Sequence, residues 1–156
     1  MNDIATPLKL CAFDEEDLAV VSAHVQDAVL KVGDLVYLPR DGRFAVAMNR
    51  FIWEKAADGK REAFERRRSV LSFDRVRSVR STRIDRDRTD AVLELLAVSF
   101  ETAEIPAGTV TLVFAGGGAV QLEVEVIEAR LADLGAAWAT SAKPQHDIEG
   151  AAESGT

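Results

Sequence analysis

The sequence predicts an α+β fold: a curved antiparallel sheet, or a partly closed barrel, of about six or seven strands with an N-terminal helix and a short C-terminal helix. Three observations support this class. One amphipathic helical pattern lies near the N-terminus, alternating patterns follow it without intervening helices, and glycine-containing turns separate them. This order of elements is similar to the pleckstrin-homology-like architecture, a similarity that by itself carries no function.

The first element is a helix that begins after Asp14. Asp14 can cap the helix N-terminus, and the acidic residues that follow it favour the positive end of the helix dipole. Leu18, Val21 and Val25 recur at helical spacing and form one apolar stripe. We therefore expect this stripe to pack against the sheet.

Two β-rich runs flank the turn formed by residues 39–42. The Asp41–Gly42 pair favours a turn, because glycine adopts positive φ at little cost. The run after the turn has one apolar face, which Arg50 interrupts; its members are Phe44, Val46, Met48 and Ile52. Residues 91–100 are apolar on both faces, which favours a strand in the middle of a sheet, although a short buried helix fits as well.

The clearest hairpin spans residues 108–126, where two alternating segments flank Gly116–Gly118. Each segment has one apolar and one polar face, and glycine turns are typical of such hairpins. The next segment, residues 127–135, has apolar residues at helical spacing followed by Gly135, a residue that often ends a helix. It predicts the short C-terminal helix.

Composition predicts one globular domain over residues 1–139 and a disordered tail over residues 140–156. The 156 residues are 47% hydrophobic and 29% charged, as in ordinary globular proteins. No apolar run approaches the roughly 20 residues of a membrane-spanning helix, and the N-terminus lacks the pattern of a secretory signal. The one cysteine, Cys11, has no partner for an intrachain disulfide. We therefore expect a cytoplasmic protein.

Patterns for common catalytic and cofactor chemistry are not found. Two histidines and one cysteine do not make a zinc site of the usual nitrogen and sulfur type, and no phosphate-binding glycine loop precedes a helix. Ser22, His24 and Asp27 resemble a triad in composition, but Ser22 and His24 point in different directions on a helix. We expect no cofactor and no catalytic residue among them.

The charge distribution is uneven. Residues 40–88 hold 15 lysines and arginines against 8 acidic residues, whereas the rest of the chain holds 4 against 18. A segment of charge +7 thus stands beside a remainder of −14. This asymmetry makes the arginine-rich stretch, residues 60–88, the main candidate for a functional surface.

Four interpretations of the arginine-rich stretch are open. Its charges can be neutralised by acidic residues on neighbouring strands: Glu94, Glu101, Glu123 and Glu125. They can bind an acidic protein or a second copy of the chain. They can bind nucleic acid, with aromatic residues available to stack on bases: Phe51, Trp53 and Phe64. They can bind a phosphorylated small molecule or a lipid headgroup. The acidic remainder of the chain disfavours a long polyanion.

We predict from these observations a non-catalytic binding domain whose partner is an acidic protein or a second copy of the chain. The alternatives are a binder of nucleic acid or of a phosphate ligand through residues 60–88, and an enzyme with an unrecognised carboxylate-based site. The residues predicted to form the basic surface are Arg66, Arg67, Arg68, Arg75, Arg77 and Arg80, with Trp53 as an aromatic anchor.

Four segments carry a resemblance to a known family: "DEEDLAVVSAHVQDAV", "RFAVAMNRFIWE", "LSFDRV" and "VTLVFAGGGAVQLEVEVIEARLADLG". The match spans about residues 8–138. The sequence resembles a proteobacterial, chiefly alphaproteobacterial, domain family of unknown function, number 2948. The resemblance implies a small bacterial cytoplasmic protein without an assigned activity, and it supplies no functional residues.

Overall fold

The structure is a computed structural model that describes residues 7–52 and 65–135 and the backbone of residues 138 and 139. Short 3₁₀ turns cover Val32–Asp34 and Pro39–Asp41. In this part of the chain the regular elements are β1 (Lys9–Ala12), α1 (Glu15–Val25), β2 (Val29–Lys31), β3 (Leu35–Leu38), β4 (Arg43–Phe51), β5 (Glu65–Phe73), β6 (Val76–Thr82), β7 (Val92–Thr102), β8 (Gly108–Phe114), β9 (Ala119–Val124), β10 (Ala129–Asp133) and β11 (Trp138–Ala139).

The strands form one sheet in which every hydrogen-bonded pair is antiparallel. Its order is β1-β10-β5-β4-β2-β7-β8-β9-β6, with β11 paired to β5 and β3 paired to β4. The α+β class and the antiparallel sheet are therefore confirmed. The expected strand count was too low, because β2 and β11 have only three and two residues and cannot display a clear alternation, and because β10 lies where a helix was expected.

The N-terminal helix is confirmed. The Asp14 side chain accepts a hydrogen bond from the Asp17 amide at 2.8 Å, so Asp14 is the N-cap of α1. Leu18, Val21 and Val25 are all buried, as their spacing predicts. They join the same core as the inward residues of β7 and β4, and α1 lies against β7 and β1.

The hairpin of β8 and β9 is confirmed as well. Leu112 lies opposite Val120 and Val110 opposite Leu122, and all four side chains are buried. Residues 115–118 form the turn between the strands, where the Phe114 amide bonds the Gly118 carbonyl at 2.9 Å. The long strand β7 pairs with both β2 and β8, so the expectation of a strand within the sheet is also confirmed.

The predicted C-terminal helix is wrong. Residues 129–133 form β10, which pairs with β1 on one side and β5 on the other. Ala129 and Leu131 are buried at a spacing of two, whereas Leu134, which the helical stripe required, is 47% exposed. Pairing on both edges supplies backbone hydrogen bonds that outweigh the local helical preference. The likeness to a pleckstrin-homology-like order depended on that helix, and the sheet is not closed.

The predicted tail, residues 140–156, lies outside the described residues. Within the described ranges, the helix is too short and too polar to cross a membrane.

Candidate binding site

The six arginines predicted to form one basic surface lie in three environments. On β5, Arg67 is buried, while Arg66 and Arg68 point to the opposite face of the strand. The Arg66 guanidinium lies 3.9 Å from the centre of the Phe51 ring and donates to the Asn49 carbonyl at 3.0 Å. Arg68 donates to the Asn49 side-chain oxygen at 3.1 Å. Trp53, the predicted anchor, lies outside the described residues.

The other three arginines lie at or on β6, where acidic residues contact two of them. Arg75 lies 3.4 Å from a Glu128 oxygen and 4.0 Å from Glu125, and Arg77 lies 3.9 Å from Glu125. Arg80 donates two hydrogen bonds to the Gln121 side-chain oxygen. Glu125 thus supplies some of the neutralisation that one sequence interpretation expected. That these arginines bind a partner stays a prediction.

Two arginines form a buried ionic cluster with Asp133. Arg50 and Arg67 are directly opposite each other on β4 and β5, and their side chains are 0% and 1% exposed. Arg50 makes two hydrogen bonds of 3.0 Å to the two Asp133 oxygens, and Arg67 makes one of 3.3 Å. Like charges opposite each other repel, and the carboxylate between them offsets that repulsion.

Asp133 accepts further hydrogen bonds from the Ser69 hydroxyl at 2.7 Å and from the Leu8 amide at 2.7 Å. Burial by itself would raise the pKa of Asp133. The hydrogen bonds from Arg50, Ser69 and Leu8, together with the positive charge of Arg50, outweigh burial and lower the pKa. Asp133 is therefore ionised at neutral pH and joins β10, β5, β4 and the chain before β1.

This cluster predicts a specific acid sensitivity. The pKa of Asp133 is lower in the folded protein than in the unfolded chain. The contribution of this carboxylate to the free energy of unfolding is therefore complete above the ordinary pKa of 3.8, and it is lost as the pH falls through the lower pKa of the folded protein. The carboxyl carbon of Asp133, followed by carbon NMR, should titrate with a midpoint below 3.8 in the folded protein. A midpoint at or above 3.8 would contradict this account.

Strands β3 and β6 are not hydrogen-bonded neighbours in the sheet, but both line one cavity, and we call the gap between them the seam. β3 is hydrogen-bonded to β4, and β6 ends the sheet with β9 as its bonded neighbour. At one end of the seam the Val76 amide donates to the Gly42 carbonyl at 2.9 Å, and the Tyr37 hydroxyl donates to the Arg77 carbonyl at 3.1 Å. These two bonds hold the strands together there.

A cavity of about 250 Å³, the seam pocket, opens between these strands. Its apolar lining comes from the 3₁₀ turn, β3, β4, β6, β9 and the loop after β6: Val32, Leu35, Phe44, Val79, Ile84 and Val120. Its polar lining side chains are Tyr37, Ser81, Arg86 and Thr89. An apolar concavity with a few polar groups is the usual form of a small-molecule site. Its volume is below the range of about 300–1,000 Å³ that holds drug-sized ligands, so it suits a smaller molecule.

The loop of residues 83–91 forms one wall of the seam pocket and is attached to the 3₁₀ turn. The Gly33 amide donates to the Thr89 carbonyl and the Val32 amide to the Ala91 carbonyl, each at 2.9 Å. A Cβ atom at Gly33 would lie 3.3 Å from Thr89, so glycine permits this close approach. The wall is therefore set in place by the fold.

A second, more open cavity of about 620 Å³ lies near the turn between β3 and β4. It is lined by Arg40, Arg43, Arg75 and Arg130 and by Asp41, Asp74, Glu125 and Glu128. Arg43 bonds Asp74 at 2.8 Å, and Arg75 lies against Glu128. Its basic and acidic groups are thus balanced and partly paired with each other, which disfavours it as a site for a charged ligand.

The residues that resemble a catalytic triad have structural contacts. The Ser22 hydroxyl accepts a hydrogen bond from the Val98 amide at 2.9 Å, next to the irregularity in the pairing of β7. His24 Nδ1 lies 2.9 Å from the Val20 carbonyl one turn earlier in α1. Over the described ranges, no group of three or more histidine, cysteine, aspartate or glutamate side chains is arranged to hold a metal ion.

Comparison with known proteins identifies the family. A family model described as "Protein of unknown function (DUF2948)" matches residues 8–146. The chain belongs to this family. None of the curated proteins and none of the solved structures compared with it matches. The DUF2948 match covers the residues of both the buried cluster and the seam pocket.

Sequence reasoning missed the seam pocket, because its lining residues come from four separate stretches of the chain, at residues 32–37, 44, 79–89 and 120. It also did not predict that Arg50 and Arg67 are buried. One signal was available: alternation places Arg50 on the same face as Phe44, Val46 and Met48, which the structure shows to be the buried face. Asp133, the counterion of Arg50, was not predicted because its segment was predicted to be helical.

Proposed function

We propose that this member of the DUF2948 family is a non-catalytic binding domain and that its site is the seam pocket, which takes a small, largely apolar molecule. The observation that carries the proposal is the apolar cavity between β3 and β6. Three of its apolar lining residues, Leu35, Val79 and Ile84, pack against the main hydrophobic core and are only partly buried. In the seam, apolar lining remains accessible to a ligand.

Two further observations support a preformed site. The walls belong to strands and to a loop that is hydrogen-bonded to the 3₁₀ turn at both Val32 and Gly33. The seam is also closed at its Tyr37 end by two hydrogen bonds. The Tyr37 hydroxyl donates to the Arg77 carbonyl, and the Val76 amide donates to the Gly42 carbonyl. Because little of this wall needs to be ordered on binding, the entropic cost of ligand binding is reduced.

The proposal is tested by filling the pocket. Ser81 lines it from β6, and Ser81→Phe would place a ring in the ligand volume. We expect wild-type protein to show chemical-shift changes at lining residues on titration with 1-hexanol or indole, followed by ¹⁵N NMR. The Ser81→Phe variant should bind these probes at least about 10-fold more weakly, because the ring and the ligand compete for one volume.

Thr82→Phe is the matched control, since Thr82 is the next residue of β6 and is exposed. It adds the same ring and should leave binding unchanged. If Ser81→Phe does not fold, Ser81→Leu fills less of the same volume. Probe-induced shifts that avoid the lining residues, or equal affinities of the Ser81 and Thr82 variants, would refute the proposal.

A further inference from the structure

We infer that the ligand of the seam pocket is a small carboxylic acid with an apolar body, and that its carboxylate binds Arg86. The inference rests on the proposed function, because it names the chemical class of the ligand for the same pocket. Two properties of the pocket support it: the charge of its lining and the way in which Arg86 is presented.

The lining carries one kind of charge. Arg86 is its one cationic residue, and no acidic side chain is among the described residues that line the pocket. The other polar lining groups include the hydroxyls of Ser81 and Thr89, which can donate hydrogen bonds to an anion, whereas the Tyr37 hydroxyl already donates to the Arg77 carbonyl. The lining therefore favours an anionic group beside an apolar body over a cation or a purely polar molecule.

Arg86 is available for a ligand. Over the described ranges, the arginines that form ion pairs are Arg43, Arg50, Arg67, Arg68, Arg75 and Arg77, and Arg86 is not among them. The neighbouring carboxylate of Asp85 accepts a hydrogen bond from the Asp87 amide at 3.1 Å. Asp85 thus stabilises its own turn. Asp87 and Asp90 are exposed and do not line the pocket.

The turn that carries Arg86 has a defined backbone. The Arg88 amide donates to the Asp85 carbonyl at 3.1 Å, and the Ala91 amide donates to the Arg88 carbonyl at 3.0 Å. These bonds place residue 86 at the pocket wall before any ligand arrives. One planar guanidinium can bind one carboxylate through two parallel hydrogen bonds. The size of the cavity, about 250 Å³, limits the apolar body to a short chain or a single ring.

The test compares hexanoate with hexanamide, which have the same chain and differ in charge. By ¹⁵N NMR titration at neutral pH, we expect hexanoate to bind the wild-type protein about 10-fold to 100-fold more tightly, since hydrogen bonds to charged groups are the stronger ones. Arg86→Gln should remove this preference, because it should weaken hexanoate binding far more than hexanamide binding.

Arg88→Gln is the matched control, because Arg88 is exposed in the same loop and does not line the pocket. It should retain the preference for hexanoate. Equal binding of the two probes by the wild-type protein, or a preference that survives in Arg86→Gln, would overturn the inference and leave the proposed function standing. If neither these probes nor 1-hexanol and indole perturb the lining residues, the proposed function and the inference both fail.

Discussion

Asp133→Asn is expected to lower the free energy of unfolding by about 3–5 kcal/mol, the usual cost of removing one partner from a buried ion pair. The carboxylate contacts both Arg50 and Arg67, whose side chains are 0% and 1% exposed. The amide keeps the shape of the side chain but loses the charge, and its nitrogen cannot accept hydrogen bonds. Two guanidinium groups therefore stay buried without that counterion, and desolvated charge is costly.

Urea unfolding at neutral pH measures this effect. Asp74→Asn is the matched control, because Asp74 bonds Arg43 at 2.8 Å but the Arg43 side chain is 47% exposed, and exposed pairs contribute about 1 kcal/mol or less. If Asp133→Asn does not fold, Ser69→Ala removes one hydrogen bond to the same carboxylate and should cost about 1–3 kcal/mol. Equal losses for Asp133→Asn and Asp74→Asn would contradict the buried cluster.

Gly108→Ala is expected to destabilise the protein by at least about 3 kcal/mol, the upper part of the range for overpacked cores. A Cβ atom at this position would lie 2.4 Å from the Glu101 carbonyl oxygen and 2.4 Å from a ring carbon of Phe100. Gly108 is buried at the start of β8, and the Phe100 ring fills the space over it from β7. Backbone on one side and an aromatic ring on the other leave no room for a methyl group.

A double-mutant cycle measures how much of the stability loss in Gly108→Ala comes from the contact with the Phe100 ring. Phe100→Ala removes the ring contact, so the loss in the Gly108→Ala/Phe100→Ala variant should be smaller than the sum of the two single losses. Gly116→Ala is a control for backbone conformation, because Gly116 has φ 89° and open space around it. It should cost about 1–2 kcal/mol. Additive losses in the cycle would exclude the Phe100 ring as a cause and leave the clash with the Glu101 carbonyl oxygen, whereas a larger loss at Gly116 than at Gly108 would show that the steric account is wrong.

Local sequence patterns predicted the elements whose stabilising contacts join residues that are close together in the sequence. The cap at Asp14 and the stripe of Leu18, Val21 and Val25 predicted α1, and the alternation around Gly116–Gly118 predicted the hairpin of β8 and β9. In these cases the interacting residues are close in the sequence. Short-range geometry was then sufficient, because each element buries one face and the period of that face is visible in the chain.

The failures occurred where long-range pairing decided the outcome. Residues 127–135 have a helical spacing, but β1 and β5 offer hydrogen bonds to both edges of a strand at this position. The arginine-rich stretch shows the same effect. Consecutive residues of a strand face opposite sides, so Arg67 is buried while Arg66 and Arg68 lie on the other face. The sum of charges in a segment does not reveal this separation.

The sequence by itself determined the antiparallel α+β class, the N-terminal helix and the glycine-turn hairpin, because periodicity and turn chemistry are local properties. Only the tertiary structure decided that Arg50, Arg67 and Asp133 share one buried site and that β3 and β6 leave a pocket between them. Asp133 lies 83 positions from Arg50 along the chain. Contacts across such separations are created when the sheet is assembled, and they leave no spacing pattern in the sequence.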